Sequence, residues 1–383
     1  MKRYIEENIL RDLSKKMVFV GGPRQVGKTT MAKRIMQDFI YEKSKKGLYL
    51  NWDFDDDKEI IIGKKWDDSH QLIIFDEIHK YHRWKNWIKG IYDKQNHIHR
   101  FLITGSARLD FYRRGGDSLM GRYHYWRLHP ITLDELPEKM SLAMGMKRLM
   151  RIGGFPEPFL DGNEQSARRW RRERFDRIIK EDIRDLEPIK LISSVGLFVN
   201  ALRKRVGRLI ILSNIAKEIQ ISPKTAKLWL EVINRMYLCF SIRPYSRNLP
   251  RSLQRPPKVY FFDNADLILD RDEGPCFENL VATHLLKKIH YLEDVSGQNV
   301  ELGYIRDKEF REVDFIILKD DVIFALIEVK LSDDKISKSL QYYSERLHPK
   351  HSMQIVMNLK QEYKKGKCRV LKLETALQVL FDK

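Results

Sequence analysis

A glycine-rich segment near the start of the chain constrains the fold more than any other feature. Gly22–Thr29 reads G-x-x-x-x-G-K-T, directly after the apolar run MVFV and directly before a helical pattern. Glycines let main-chain N–H groups close around phosphate oxygens, and the start of a helix adds a favourable partial charge. This order of strand, turn and helix is the context of a P-loop. The sequence therefore predicts an α/β domain, built on a parallel sheet, that binds a nucleoside triphosphate.

The residues of this motif have separate expected roles. Lys28 is expected to reach the β- and γ-phosphates, and the Thr29 hydroxyl is expected to ligate Mg²⁺. A glycine-rich turn that binds no ligand is the alternative interpretation. The predicted nucleotide-binding residues of the motif are Gly22, Pro23, Arg24, Gln25, Val26, Gly27, Lys28, Thr29 and Thr30.

A second apolar run, QLIIF, ends in two acids, Asp76 and Glu77. Open α/β sheets bind their ligands at the carboxyl ends of the strands, which is where these acids fall. Asp76 is predicted to bind the Mg²⁺ of the nucleotide, and Glu77 is predicted to polarise an attacking water. Together with the P-loop they predict an enzyme that hydrolyses ATP with Mg²⁺ as cofactor.

Two further groups are candidates for sensing the γ-phosphate. A third strand, Phe101–Thr104, is followed by Gly-Ser, so that Thr104 or Ser106 is expected near the phosphates. Ordinary turn chemistry explains these residue types equally well. Arg122 is a candidate for a charge that reaches the γ-phosphate like an arginine finger, either in its own chain or in a neighbouring one. A surface arginine is the alternative.

Five segments of the chain resemble, in this order, the archaeal-type ATPases of the AAA+/STAND clade: GGPRQVGKTT, LIIFDEIHK, FLITGSAR, SLMGRYHYWRLHP and GGFPEP. The resemblance implies a P-loop ATPase domain over residues 1–145 and a helical and winged-helix domain over residues 146–258. It also implies a C-terminal α/β domain of restriction-endonuclease type over residues 259–383. A homo-oligomer is compatible with it.

The positive charge is concentrated in the middle of the chain. The 383 residues carry a net charge of +18, divided as +7 in residues 1–145, +14 in residues 146–258 and −3 in residues 259–383. The densest basic stretch is Ala167–Arg177. Such a field favours a polyanion, because neutralising phosphates releases counterions. The predicted partner of this block is a nucleic acid, DNA in the first place. A solvated helix face whose arginines pair with acids is the alternative.

Residues 209–243 have the pattern of a helix-turn-helix followed by a wing. Pro223 stands where a second helix would begin, and a strand-like run follows that helix. The exposed face of the second helix would carry Lys224, Thr225 and Lys227. Lysine contacts of this kind usually reach phosphates rather than bases.

The C-terminal block contains a second chemical pattern. Asp314 lies in the strand-like EVDFIIL, and after a turn Glu328 and Lys330 fall on one face of a second strand. With Glu278 upstream, the pattern resembles the PD-(D/E)xK nucleases. The resemblance implies that Glu278, Asp314 and Glu328 bind Mg²⁺ or Mn²⁺ and that Lys330 lies beside the attacked phosphate. The eponymous proline is replaced by Val313. Surface acids on a plain α/β domain, or a nuclease fold without activity, are the alternatives.

Composition excludes several other classes of protein. Three widely spaced cysteines allow neither a disulfide framework nor a zinc ribbon, and no apolar run is long enough to span a membrane. Acids near the N-terminus replace the apolar region of a signal peptide, which favours a cytoplasmic location without a membrane partner. The sequence thus predicts an ATP-hydrolysing switch or motor coupled to DNA binding and to metal-dependent phosphodiester cleavage. The alternative is an ATP-driven regulatory switch whose nuclease-like domain only docks protein or DNA.

Overall fold

The structure of the chain is a computed structural model. It describes residues 1–43, 46–105, 119–179, 192–246, 255–270 and 273–381. The chain divides into two compact units. The first unit comprises residues 1–130 and 235–237, and the second comprises residues 131–234 and 238–383.

The first unit is built on a five-stranded sheet in which every pair of neighbours is parallel, in the order β2-β3-β4-β1-β5. All five residues of β1 are buried, as the covered centre of a parallel sheet requires. The predicted α/β domain with a parallel sheet is confirmed. Its strands are β1 (Met17–Gly21), β2 (Lys46–Asn51), β3 (His70–Asp76), β4 (Arg100–Thr104) and β5 (Tyr123–Arg127).

In the described part of the first unit, four α-helices accompany this sheet. They are α1 (Glu6–Asp12), α2 (Lys28–Lys43), α3 (Asp55–Gly63) and α4 (Trp84–Gln95). One face of α4 packs through Trp84, Ile88 and Ile91 into the same core as Phe75 and Phe101 of the sheet. This packing holds the central strands in place. Because β3, β4 and β1 are parallel neighbours, their carboxyl ends lie side by side at one edge of the sheet.

The second unit contains a mixed eight-stranded sheet in the order β12-β13-β11-β10-β9-β8-β6-β7. Antiparallel pairs join β6 to β7, β8 to β9, β9 to β10 and β12 to β13, and the remaining pairs are parallel. The strands are β6 (Cys239–Pro244), β7 (Lys258–Phe261), β8 (Val300–Arg306), β9 (Glu312–Lys319), β10 (Val322–Lys330), β11 (His351–Val356), β12 (Tyr363–Lys365) and β13 (Cys368–Leu371).

The helices of the second unit surround this sheet and fill the middle of the chain. They are α5 (Leu142–Arg151), α6 (Pro156–Asp161), α7 (Glu164–Arg177), α8 (Ile192–Arg203), α9 (Leu212–Glu218), α10 (Pro223–Arg235), α11 (Glu273–Ser296), α12 (Lys338–Leu347) and α13 (Leu373–Phe381). Among the residues that the structure describes, no helix is long and apolar enough to cross a membrane.

The segment expected to form a helix-turn-helix with a wing folds differently at its end. Helices α9 and α10 form as expected, and β6 and β7 pair antiparallel after them. However, β6 also pairs with β8, through Arg243 opposite Gly303. The expected wing is thus part of the larger sheet. For the same reason, the boundary expected between residues 258 and 259 falls inside β7.

Candidate functional site

The P-loop takes its shape from glycines in backbone conformations that other residues avoid. Gly22 has φ +142° and Gly27 has φ +96°. A Cβ on Gly22 would lie 2.3 Å from the carbonyl oxygen of Leu128, so that a side chain there would collide with the main chain after β5. These positions require glycine. The loop therefore curls between β1 and α2 as the motif predicts.

The Lys28 ammonium lies inside this curl. Its Nζ donates to the carbonyl oxygens of Pro23 at 2.7 Å and Gly22 at 3.1 Å, and the residue is almost fully buried. Main-chain carbonyls are neutral acceptors, so the positive charge of Lys28 is not cancelled by them. Its position inside the loop places this ammonium where an anion entering the loop would contact it.

Asp76 is the point where four elements of the first unit meet. The Thr29 hydroxyl donates to Asp76 Oδ2 at 2.6 Å, and the Thr104 hydroxyl donates to Oδ1 at 2.5 Å. The Tyr49 hydroxyl also donates to Oδ2, at 2.7 Å. Register explains the convergence, because Asp76 at the end of β3 pairs with Asn51 of β2 and with Thr104 of β4. The structure brings Thr29 and Asp76 together as the sequence predicts.

These oxygens suit a hard cation. Mg²⁺ is bound through one or two carboxylates together with hydroxyl, water and phosphate oxygens. Thr29 and Asp76 present a hydroxyl and a buried carboxylate within hydrogen-bond distance of each other. The residues present therefore fit the Mg²⁺ that accompanies a nucleotide, and Thr29 and Asp76 would hold it.

Sequence reasoning missed Tyr49. Burial, together with the nearby Asp76 carboxylate, raises the pKa of the Tyr49 hydroxyl, so this group stays protonated and donates. Tyr49 lies on β2, which follows the P-loop helix in sequence and neighbours β3 in the sheet. Only the strand order of the sheet reveals that it reaches Asp76.

Glu77 leaves the sheet at a sharp turn. Its φ of +57° is left-handed, and its N–H donates to the carbonyl oxygen of Thr104 at 2.9 Å. The carboxylate lies 3.4 Å from the Lys80 ammonium and 3.5 Å from His79 Nε2. Burial raises the pKa of Glu77. A carboxylate held beside Asp76 with a raised pKa has the properties of a proton acceptor.

The candidate sensors have different outcomes. Thr104 lies between the P-loop strand and the Asp76 strand, and its hydroxyl is bonded to Asp76. Ser106 lies outside the residues that the structure describes.

Arg122 cannot reach the nucleotide of its own chain. It precedes β5, whose first residue, Tyr123, pairs with Met17 at the start of β1, whereas the P-loop follows Gly21 at the other end. Four residues of strand separate the two ends by roughly 13 Å. The Arg122 guanidinium instead makes two hydrogen bonds to the Asp93 carboxylate, at 2.7 and 3.1 Å. Within one chain the structure therefore places Arg122 away from the P-loop and beside Asp93.

The N-terminal segment supports the P-loop from behind, which the sequence did not indicate. The buried Arg3 guanidinium donates to the carbonyl oxygens of Val26 at 2.9 Å and His129 at 2.5 Å. The Glu6 carboxylate accepts from the Arg3 main-chain N–H and pairs with Arg34 of α2. These bonds tie the loop, its helix and the segment after β5 to one another.

In the second unit, a buried lysine lies among the predicted metal ligands. The Lys258 ammonium, at the start of β7, lies 2.7 Å from Glu312, 3.4 Å from Asp314 and 3.6 Å from Glu278. Lys258 is 1% exposed. Burial by itself would lower the pKa of Lys258, but Asp314, Glu278 and Glu312 outweigh it and raise that pKa. Lys258 therefore carries its charge inside the fold.

The other predicted ligand pairs with a different lysine. The Lys330 ammonium lies 2.8 Å from Glu328 Oε1 on the same strand, β10. The register that pairs Phe315 with Ile327 brings Asp314 and Glu328 to adjacent strands, and burial with the Asp314 charge raises the pKa of Glu328 to about 7. Burial, again with Asp314 close by, also raises the pKa of Glu278 to about 7.

This arrangement does not fit a divalent metal. An ammonium takes up the space between Glu278 and Asp314, and a metal there would lie against it. Among the described residues, no three Cys, His, Asp or Glu side chains are placed to hold a metal ion. The expectation that Glu278, Asp314 and Glu328 form a metal centre is corrected accordingly. Lys258 was missed because it opens an ordinary apolar run, KVYFF.

A large basic cavity also lies within the second unit. Its volume is about 1520 Å³, and helices α5 and α7 and the segments after β11 and β13 contribute to it. Part of its charge is paired, since Arg151 bonds Glu164 and Arg203 bonds Asp266. The basic residues that line the cavity are Lys147, Arg151, Arg168, Arg171, Arg172, Arg203 and Lys372.

Comparison with known families assigns the first unit. Residues 14–137 match the family model described as an AAA domain. Residues 14–137 are therefore similar to an AAA domain, which agrees with the P-loop and the parallel sheet of the first unit. Residues 145–267 and 273–376 match two further models, each described as a domain of unknown function (DUF8612 and DUF4143).

Relatives with similar sequences are themselves uncharacterized. An uncharacterized protein of Methanocaldococcus jannaschii is 24% identical, and the alignment covers 88% of this chain and 81% of that protein. Uncharacterized proteins of Mycobacterium bovis and Mycobacterium tuberculosis are each 22% identical over 64% of this chain. The chain spans about half, 54%, of each mycobacterial relative.

Two solved structures are similar at a lower level. AMPPCP-bound DnaA from Aquifex aeolicus is 14% identical with a TM-score of 0.31, over 60% of this chain and 86% of that chain. Cdc6p from Pyrobaculum aerophilum is 13% identical with a TM-score of 0.27, over 64% and 85%. These scores are too low to define a common fold, so the AAA assignment rests on the family match and on the sheet.

Proposed function

We propose that the chain is an ATP-driven switch that hydrolyses ATP at the carboxyl edge of the first sheet. The observation that carries this proposal is the contact of Asp76 with Thr29, at 2.6 Å, beside the P-loop Lys28, whose Nζ donates to the carbonyl oxygens of Gly22 and Pro23. A buried acid and a hydroxyl in this position serve as Mg²⁺ ligands in P-loop ATPases. The AAA match over residues 14–137 supports the same activity.

Each residue of this site has a separate role in ATP hydrolysis. Main-chain N–H groups of Gly22–Thr29 enclose the phosphates, and the Lys28 ammonium moves from the carbonyls of its own loop to the phosphate oxygens. Thr29 and Asp76 would hold Mg²⁺, which would supply charge neutralisation at the phosphates. Burial raises the pKa of Glu77. Its carboxylate accepts a hydrogen bond from the attacking water and thereby orients that water. Tyr49 and Thr104 hold the Asp76 carboxylate in one orientation.

The test of this activity is ATP turnover by the purified chain with Mg²⁺. Lys28→Ala is expected to lower the turnover by about 100-fold or more, because it removes the ammonium that is expected to contact the β- and γ-phosphates. Lys58→Ala is the matched control, since Lys58 is exposed on α3 and pairs with Asp55. Turnover that is equal in Lys28→Ala and in Lys58→Ala would contradict the proposal.

We infer further that the basic cavity of the second unit binds the phosphate backbone of a nucleic acid. Seven lysines and arginines line this one cavity, and the exposed Arg168 and Arg172 belong to α7, the most basic helix. Phosphate contacts of this kind give binding that weakens steeply with salt, by about 0.7–0.9 in log K per log unit of salt for each phosphate contact.

One double change in the cavity and one single change beside it test this inference. Arg168→Ala with Arg172→Ala is expected to lower the affinity for a labelled DNA oligonucleotide and to flatten its salt dependence. Arg169→Ala is the matched control, because Arg169 lies on the same helix, does not line the cavity and pairs with Glu173. An equal loss of affinity in both variants, or unchanged binding in the double variant, would contradict a role of the cavity.

For Arg122 we propose a role in a neighbouring chain of a homo-oligomer. It lies at the edge of the sheet opposite to its own P-loop, at the outer end of β5. A chain with Arg122→Ala keeps its P-loop, and a chain with Lys28→Ala keeps its arginine. Each variant alone is expected to be inactive, and a mixture of the two is expected to recover ATP turnover. A mixture without activity would reduce Arg122 to a surface residue paired with Asp93.

For residues 259–383, the alternative of a non-catalytic docking domain is the better supported proposal. Its support is Lys258, which stands between two of the predicted metal ligands. Phosphodiester cleavage by this class of site depends on a metal held by those carboxylates. DNA cleavage that requires Mn²⁺ and that is lost in Asp314→Asn would restore the nuclease interpretation.

A further inference from the structure

The carboxylate centre of the second unit has an unusual internal cation. Three acidic side chains from two elements, Glu278 of α11 and Glu312 and Asp314 of β9, surround one lysine. Two of these acids, Glu278 and Asp314, correspond to metal ligands in the nucleases that this part of the chain resembles. We propose that Lys258 is a tethered cation that occupies the place of the divalent metal, so that the centre is closed to metal ions and stabilises the fold instead.

The backbone prevents Lys258 from leaving. Its main chain pairs with Ile242 of β6 on one side and with Leu209 on the other. Because Lys258 is 1% exposed, its ammonium has no path to solvent without opening this sheet edge. A surface lysine would move aside for an incoming ion, whereas this one is fixed among its acids.

Two of the carboxylates, Glu312 and Asp314, also have both of their oxygens bound by the protein. Glu312 accepts from Lys258 with Oε1 and from Arg306 with Oε2, at 2.6 Å. Asp314 accepts from Lys258 with Oδ1 and from the Val329 main-chain N–H with Oδ2, at 2.9 Å.

Glu278 completes this pattern. Its Oε1 accepts from the Tyr260 hydroxyl at 2.6 Å, and Gly207 packs against the carboxylate so closely that a Cβ there would lie 2.7 Å from Oε2. A metal at Glu278 Oε1 would therefore have to displace the Tyr260 hydroxyl, and a metal at Glu312 or Asp314 would have to displace an ion pair or the hydrogen bond from the Val329 main chain. Electrostatic repulsion also disfavours the binding of a divalent ion, because the ion would lie a few ångströms from a buried ammonium.

The function that follows is structural. A metal-dependent fold is stable only where the metal is supplied, and its stability changes with metal concentration. A lysine in the same place gives the carboxylates their counter-charge permanently. The domain then keeps the strands and helix of a metal centre without depending on Mg²⁺ or Mn²⁺, and the ATP site alone responds to these ions.

Binding of Mn²⁺, followed by the electron paramagnetic resonance signal of the free ion, tests the proposal in the full chain. All variants carry Asp76→Asn and contain no nucleotide, so that the ATP site does not contribute. With Lys258 present, no tight Mn²⁺ site is expected. Lys258→Met is expected to gain one Mn²⁺ site per chain with roughly 100-fold higher affinity, since three carboxylates are then available. Lys258→Met with Glu278→Gln is expected to lose most of that gain.

Two results would overturn the proposal. One is tight Mn²⁺ binding by the chain that retains Lys258, if Asp314→Asn abolishes it. The other is a folded Lys258→Met chain that binds no Mn²⁺. If Lys258→Met is insoluble on its own, recovery of soluble protein by Mn²⁺ supports the proposal, and the chain that retains Lys258 still decides whether the native centre is closed.

Discussion

The two units of the chain each place acidic side chains near a buried lysine, but they differ in what holds the lysine. In the first unit, Lys28 bonds the carbonyls of Gly22 and Pro23, whereas Asp76 bonds hydroxyls. In these bonds both charged groups meet uncharged partners, and the charge of Lys28 also acts on the nearby Glu77. In the second unit, Lys258 bonds the acids themselves. Similar residue types therefore form a ligand-binding site in the first unit and a charge-neutralised cluster in the second.

The largest expected effect tests whether the first unit is a reactive site. Glu77→Gln keeps the shape of the side chain but removes its ability to polarise water. We expect ATP turnover to fall by about 100- to 10,000-fold, while binding of a fluorescent ATP analogue stays within a few-fold of the original. Glu59→Gln, an exposed position on α3, is the control. Loss of ATP binding in Glu77→Gln would show that the residue has a structural role instead.

The second prediction sharpens the contrast between the two lysines. Lys258→Met leaves three half-buried carboxylates without their buried cation, and breaking a buried ion pair in this way costs about 3–5 kcal/mol. Lys28→Met removes a lysine that bonds carbonyls at the edge of the sheet. By calorimetry we expect Lys258→Met to lower the melting temperature by about 10 °C, and Lys28→Met to change it far less. Equal shifts would contradict the division into a structural and a functional lysine.

The third prediction concerns pH. The pKa of Glu278 is raised to about 7 in the folded chain, from 4.5, so the folded state holds a proton that the unfolded state has released between those values. The free energy of unfolding therefore falls as pH rises from about 4.5 to about 7. Glu278→Gln lacks this contribution, and its melting temperature should decrease less over the same range. Parallel melting curves of the two proteins between pH 5 and 7 would contradict the crowded carboxylate centre.

The smallest expected effect concerns Tyr49. Tyr49→Phe removes one hydrogen bond to Asp76 and leaves the ring in place. A bond of this kind contributes about 1 kcal/mol, which corresponds to a roughly five-fold higher Mg²⁺ concentration for half-maximal ATP turnover. The maximal rate should change little. If the maximal rate falls and the Mg²⁺ dependence does not, Tyr49 acts on the reacting groups rather than on the orientation of Asp76.

Sequence reasoning succeeded where the chemistry is local. The P-loop, Asp76 and Glu77 each lie where one strand ends, and the pattern of strand and turn is visible within about ten residues. The carboxyl ends of parallel strands meet at one edge, so the contact between Thr29 and Asp76 followed from the fold class. The parallel sheet was predictable for the same reason.

Sequence reasoning failed where strand order or register decides. Arg122 was placed near the phosphates, but the pairing of Tyr123 with Met17 puts it at the opposite edge. Lys258 reaches Asp314 only because β7 and β6 join the edge of a sheet whose other strands lie 40 and more residues further along the chain. No local pattern distinguishes a lysine that ends inside such a cluster from one that remains on the surface.

The most direct test of the account is the number of tight Mn²⁺ sites on the unmodified chain, measured with and without a non-hydrolysable ATP analogue. We expect one tightly bound Mn²⁺ per chain in the presence of the analogue, at Thr29 and Asp76, and none in its absence. A tight site that persists without nucleotide and that is lost in Asp314→Asn would contradict it, because Lys258 would then not close the second centre.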